Sequence, residues 1–102
     1  RIVKACRFLQ ENKKEFVLSK QVLRSGTAIG AMVKESEFAE SKADFVHKLS
    51  IALKEANETK YWLLLLHESE YLDDSSYESV NEDCLNLIRL LVSIIKRMKC
   101  AA

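Results

Sequence analysis

Residues 41–66, "SKADFVHKLSIALKEANETKYWLLLL", decide the fold of this chain. Apolar residues recur here at the three-to-four spacing that places them on one face of an α-helix. The stripe consists of Phe45, Leu49, Ala52, Ala56, Leu63 and Leu66. Ser41 and Asp44 form a capping box, in which the serine oxygen accepts a backbone N–H and the carboxylate reaches back. The stretch therefore predicts a long amphipathic helix that begins just after Ser41.

Three further segments have the same periodicity. The four predicted helices span residues 1–14, 19–38, 42–71 and 77–99, and a second capping box, from Ser75 to Glu78, precedes the last of them. The chain has no proline and two glycines, which leaves little material for turns or β-structure. Because the connections are short, neighbouring helices should run antiparallel. The sequence predicts an all-α fold, an antiparallel up-down-up-down four-helix bundle.

Length and composition indicate one domain. A chain of 102 residues that is 48% hydrophobic can build a single core, so we expect one domain over residues 1–102. Helical spacing is already present in the opening "RIVKACRFL", without a methionine, so we expect the first helix to be truncated at its N-terminus. No apolar run approaches the roughly 18 residues of a membrane span. Three cysteines without a CxxC pair are typical of a reduced, cytoplasmic protein.

Both glycines lie in "RSGTAIGAMV", residues 24–33. A phosphate-binding loop needs GxxxxGK followed by Ser or Thr, between a strand and a helix. Here the spacing is GxxxG, and Ala31 stands where the lysine would be needed. We therefore place Gly26 and Gly30 inside the second helix, where each costs about 0.5–1 kcal/mol relative to alanine. That cost predicts close packing of another helix over them.

The sequence shows no catalytic, cofactor-binding or metal-binding set. Asp44 and His47 are three residues apart on the third helix, but a di-iron bundle needs Glu-x-x-His motifs and this chain has none. His67 lies far from His47 along the same helix, and no serine or cysteine sits in a nucleophile elbow. We therefore predict that the protein is not an enzyme and holds no cofactor or metal.

Charge is separated along the chain despite a net charge of +1. Residues 61–83 carry seven acids and no base, whereas residues 1–24 carry seven bases against two acids, and residues 84–102 carry four bases and no acid. In an up-down bundle the first and last helices are neighbours, so their bases should form one patch able to contact RNA or DNA phosphates. The predicted patch consists of Arg1, Lys4, Arg7, Lys96, Arg97 and Lys99.

The third helix has a second face, about 100° from its apolar stripe by helical geometry. This face consists of Asp44, Lys48, Ile51, Glu55, Glu58 and Trp62. It would serve as a solvated face with i,i+4 ion pairs, or as an interface between subunits. Tryptophan is enriched at interface hot spots, which favours the subunit interface.

Two segments, "LRSGTAIGAMVKES" and "ESKADFVHKLSIALKEANETKYWLLLL", resemble the 23S rRNA intervening-sequence proteins of bacteria. The resemblance implies a four-helix bundle that assembles as a homo-oligomer, a ring-like pentamer. It also implies a relation to the accessory variability determinant proteins of diversity-generating retroelements, which bind nucleic acid and a reverse transcriptase. It brings no catalytic residues. Two functions follow as hypotheses: a homo-oligomer with weak RNA or DNA contacts, or a scaffold that binds partner proteins and no nucleic acid.

Overall fold

A computed structural model describes residues 1–100, which form four helices: α1 (Ile2–Asn12), α2 (Val17–Ser36), α3 (Lys42–Glu68) and α4 (Asp74–Cys100). No strand occurs within these residues. Helix α3 is central, since it packs against both α2 and α4, while α1 packs mainly against α2. The predicted all-α, antiparallel four-helix bundle is confirmed. In the part of the chain that is described, no helix combines the length and apolar character needed to cross a membrane.

The buried side chains form two clusters along a bundle about 50 Å long. In the first, α1 supplies Cys6 and Leu9, which pack with residues of all three longer helices and of the α3–α4 connection. The second cluster draws only on α2, α3 and α4 and is made of Ile29, Leu49, Ala52, Ala56, Leu91 and Ile95. Helix α1 thus completes a four-helix core in one half of the bundle, and three helices build the other half.

Glu15 starts α2 two residues earlier than the sequence predicts. Its carboxylate accepts the backbone N–H groups of Val17, Leu18 and Ser19, at 3.2, 3.1 and 2.8 Å. These groups have no acceptor within the first turn of a helix, so a carboxylate in front of them is favourable. Lys14 has a positive φ of 56° and ends α1 before the predicted boundary. Glu15 itself is only 7% exposed, so this connection is part of the packed structure.

The α2–α3 contact contains a buried polar pair. The Thr59 hydroxyl donates to the Ser25 hydroxyl oxygen at 2.8 Å, and both side chains are almost fully buried. The capping box before α3 is confirmed: Ser41 Oγ accepts the Asp44 N–H at 3.0 Å, and the Asp44 carboxylate accepts the Glu40 N–H at 3.2 Å. The two hydrogen bonds of the capping box fix where α3 begins.

The capping box predicted at Ser75 is wrong. Helix α4 begins at Asp74, and the carboxylate of Asp73 accepts the Ser76 N–H at 2.7 Å. Asp73 caps the first turn as well as a serine would, because its carboxylate accepts an N–H three residues later. Asp73 precedes Ser75 in the chain, so α4 begins earlier than predicted. The backbone hydrogen bond from Ser76 lowers the pKa of Asp73. A positive φ of 67° at Glu70 turns the chain between α3 and α4.

Candidate functional site

The basic residues of α1 and α4 do not form one patch. Arg1 forms an ion pair with Asp83 and donates to Ser79 Oγ at 2.5 Å, so the N-terminus of α1 lies beside the first third of α4. Lys96 is thirteen residues beyond Asp83, about 20 Å farther along the helix. From Arg1, α1 runs antiparallel to α4 and away from that end. The expected patch therefore divides into one basic group on α1 and another on the last turns of α4.

Most of these bases have no acidic partner. Within residues 1–100, Arg1 is the member of the predicted set that makes an ion pair. The exposed side chains that make none there are Lys4, Arg7, Lys96, Arg97 and Lys99. Both basic groups can therefore contact an anion in solvent.

The second face of α3 is used largely inside the chain. Arg24 of α2 pairs with Glu55, at 3.4 Å, and with Glu58. The Trp62 indole N–H donates to Glu58 Oε1 at 3.1 Å, and its ring packs against the first core cluster. Trp62 is therefore partly buried against the core of its own chain, because α3 packs on α2 as well as on α4.

The rest of that face has similar partners. Lys48 Nζ lies 3.4 Å from Glu35 Oε1 of α2, Asp44 is engaged at the start of α3, and Ile51 is half-buried. The ion pairs of Lys48, Glu55 and Glu58 join α2 to α3. With the contacts of Asp44 and Trp62, they give five of the six residues a role in the monomer, and the face is less open to a second subunit than its composition indicates.

The two glycines differ in their surroundings. A Cβ added to Gly26 would lie 2.9 Å from Ile2 Cγ2, so α1 approaches the backbone of α2 closely there. A Cβ added to Gly30 would meet no atom within 4 Å. Close packing within the described residues thus occurs at Gly26, and the expectation is not met at Gly30.

Gly30 instead lines an apolar groove of about 560 Å³ between α2 and α4. Val33 and Leu87 form part of its two walls, and Arg1 and Ile2 close one end. The residues of each wall recur at three-to-four spacing, as ridges on helices do. The groove runs along the second core cluster, which α2, α3 and α4 build.

A second cleft, of about 660 Å³, lies between α1 and the α3–α4 connection. Phe8 and Tyr71 line it, together with Lys4 and Lys13. Both aromatic side chains are partly exposed, at 45% and 36%. Sequence reasoning did not single out either one, although an aromatic among bases in residues 4–8, "KACRF", is a signal for this kind of surface.

Two buried cysteines and one histidine have the most distinctive surroundings among the titratable side chains of residues 1–100. Burial, and secondarily the charge of Glu15, raises the pKa of the Cys6 thiol to about 11, and burial likewise raises the pKa of Cys84. His67 Nε2 lies 2.7 Å from Asp74 Oδ1, and its ring stacks on another aromatic ring at the α3–α4 connection. Within residues 1–100, no three His, Cys, Asp or Glu side chains are placed to hold a metal ion.

Comparison with known proteins identifies a family and similar solved structures. The family model described as 23S rRNA-intervening sequence protein matches residues 1–93. A crystal structure of a protein of unknown function from the S23 ribosomal protein family, from Bacteroides thetaiotaomicron VPI-5482, is 58% identical in sequence and has a TM-score of 0.93. The match covers 94% of this chain and 89% of that one. No curated protein sequence matches the chain.

Proposed function

The chain belongs to the 23S rRNA-intervening sequence protein family, and from that membership we propose that it is a non-enzymatic, homo-oligomeric bundle that contacts RNA or DNA weakly through exposed bases. The observation that carries the proposal is the pair of basic groups on α1 and on the end of α4, whose members are mostly free of ion pairs within residues 1–100. Phosphate contacts of this kind depend on local charge, so a net charge of +1 does not oppose them.

The assembly in this proposal is a ring-like pentamer of single-domain chains, 1–102, similar to the accessory variability determinant proteins of diversity-generating retroelements. Its support is the family resemblance and the apolar groove beside Gly30, which a helix of a second copy would cover. The place of action is the bacterial cytoplasm, supported by three free cysteines and by the bacterial source of the similar structure.

Nucleic-acid contact is tested by fluorescence anisotropy with a labelled RNA at 50 and 200 mM salt. We expect weak binding at the lower salt that falls with salt, since neutralised phosphates release counterions. A double variant, Lys96→Gln and Lys99→Gln, should weaken binding, whereas the matched double variant Lys54→Gln and Lys60→Gln, exposed elsewhere, should weaken it less. Absence of binding by the wild-type protein at the lower salt would refute the nucleic-acid part.

Assembly is tested separately by light scattering or native mass spectrometry. We expect a mass several times the 11.7 kDa of the chain. A monomeric mass across the accessible concentration range would refute the homo-oligomer.

The apolar groove favours a second candidate, a scaffold whose contacts are with proteins alone. Leu90 is 56% exposed on α4, one turn beyond Leu87 in the groove wall, so the apolar surface continues past the groove itself. Apolar surface of this kind marks sites of protein association. A Cβ at Gly30 has no neighbour within 4 Å, so the side chain of Gly30→Leu would project into the groove. The scaffold predicts that this variant keeps its helicity and loses assembly, with no RNA binding in either protein.

A further inference from the structure

We propose that the cleft between α1 and the α3–α4 connection binds single-stranded RNA, with bases stacked on Phe8 and Tyr71. The inference rests on the proposed RNA contact, and for the basic group on α1 it names the site and the kind of RNA. The cleft, of about 660 Å³, is large enough for a nucleotide or two, since pockets for drug-sized ligands measure about 300–1,000 Å³. It lies apart from the apolar groove beside Gly30, on the other side of Arg1.

The aromatic side chains carry the first step of the argument. Phe8 is 45% exposed and Tyr71 is 36% exposed, and they come from different elements, α1 and the α3–α4 connection, to line the same cleft. Neither side chain belongs to the buried clusters that hold the bundle together. Every base has a flat face, so an exposed aromatic ring binds single strands with little regard to sequence.

The charges carry the second step. Lys4 and Lys13 line the cleft, and neither makes an ion pair within residues 1–100. Two carboxylates, Glu70 and Asp73, line it as well. Asp73 already accepts the N–H of Ser76, and Lys13 acts on it electrostatically. Arg1 lines the cleft too, but it pairs with Asp83, so the cleft holds little excess positive charge.

This charge balance distinguishes between forms of RNA. A duplex offers mainly phosphates and 2′-hydroxyls and hides its base faces in the stack, so it needs a strongly basic surface. A single strand also offers base faces, on which the rings can stack while Lys4 and Lys13 contact its phosphates. The hydroxyls of Ser75 and Ser76 on the same wall can hydrogen-bond a 2′-hydroxyl or a base edge. The cleft thus fits a single strand better than a duplex.

The test measures binding of a labelled single-stranded RNA of about ten nucleotides by fluorescence anisotropy, with a duplex of equal length as competitor. Phe8→Ala and Tyr71→Ala should each weaken binding about tenfold, in the range found for loss of one stacking ring. The controls are Phe38→Ala and Tyr61→Ala, which remove rings that are 78% and 53% exposed outside the cleft. These controls should bind like the wild-type protein.

Salt dependence gives a second readout. Phosphate contacts by Lys4 and Lys13 should contribute about −1.4 to the slope of log K against log salt, and Lys4→Gln should reduce the size of the slope by about 0.7. Circular dichroism checks that each variant is folded, which is expected for partly exposed side chains.

The outcomes separate the two proposals. Wild-type affinity in both Phe8→Ala and Tyr71→Ala, or duplex competition as strong as that of the single strand, would overturn the cleft and leave general RNA contact standing. No RNA binding by the wild-type protein at low salt would overturn both. Loss of binding in the cleft variants but not in the controls would support the assignment.

Discussion

The two glycines of α2 offer a matched test of the packing. A helical glycine is less favourable than alanine by about 0.5–1 kcal/mol, so Gly→Ala stabilises a helix where the methyl group has room. At Gly30 a Cβ has no neighbour within 4 Å in the single chain, and Gly30→Ala should gain this amount in the free energy of unfolding of the monomer. At Gly26 the same Cβ would lie 2.9 Å from Ile2 Cγ2. Displacement of Ile2 offsets the gain, so Gly26→Ala should be no more stable than the wild-type protein.

The assay is urea unfolding followed by far-UV circular dichroism, supported by thermal melts. In a domain of this size, 1 kcal/mol corresponds to a shift of about 4–8 °C in Tm, so Gly30→Ala should melt several degrees higher. Measurements at several protein concentrations are needed, because assembly couples stability to concentration. An equal gain at both sites would refute the close approach of α1 to Gly26. A loss at Gly30→Ala that grows with concentration would show another chain packed over Gly30.

Three further predictions concern stability. Leu63→Ala, at a position 1% exposed, should lower the free energy of unfolding by about 2–5 kcal/mol. The adjacent Leu64→Ala, at a position 38% exposed, should lower it much less. Equal losses in urea titrations would contradict the assignment of Leu63 to the core. Glu15→Ala should cost about 1–2 kcal/mol through loss of the α2 cap, and Glu11→Ala, at an exposed site, should fall within about 0.5 kcal/mol of the wild-type protein. The pKa of Asp73 is lowered on folding, so its stabilising contribution is present above the unfolded pKa of about 3.9 and is lost as the pH falls through the lower folded value. Asp73→Ala should flatten the dependence of the urea midpoint on pH below about 4, and an unchanged dependence would exclude this role.

Much of the fold was predictable because periodicity reports which side of a helix is buried. The stripe through Leu49 and Leu63 lies in the core, and the capping box at Ser41 starts α3 where the sequence places it. Helix starts at α2 and α4 were less predictable. The carboxylates of Glu15 and Asp73 accept N–H groups of the first turns from positions in the connections. The connections have no periodic pattern, so nothing in the sequence marks these two carboxylates as caps.

The candidate sites were harder to predict because they depend on the axial register between helices, that is, on which residues of two neighbouring helices lie side by side. Periodicity does not report that Arg1 lies at Asp83, and so it cannot separate the bases of α1 from Lys96. It also does not report that α3 packs on two neighbours, which is why Trp62 looks like a surface residue in the sequence. Contacts between helices, rather than patterns within them, decide both points.

The limited attachment of α1 has a consequence for how the molecule opens. Its eleven residues rest mainly on α2, while α2, α3 and α4 share a core cluster to which α1 contributes nothing. Local opening follows the least attached element, so amide hydrogen exchange should be much faster in α1 than in the middle of α3. Cys6, buried on α1 with a pKa raised to about 11, then becomes a reporter, since a thiol reagent reaches it only when α1 detaches. In such an opening α2, α3 and α4 stay packed through their shared cluster, and α1 is the part that detaches.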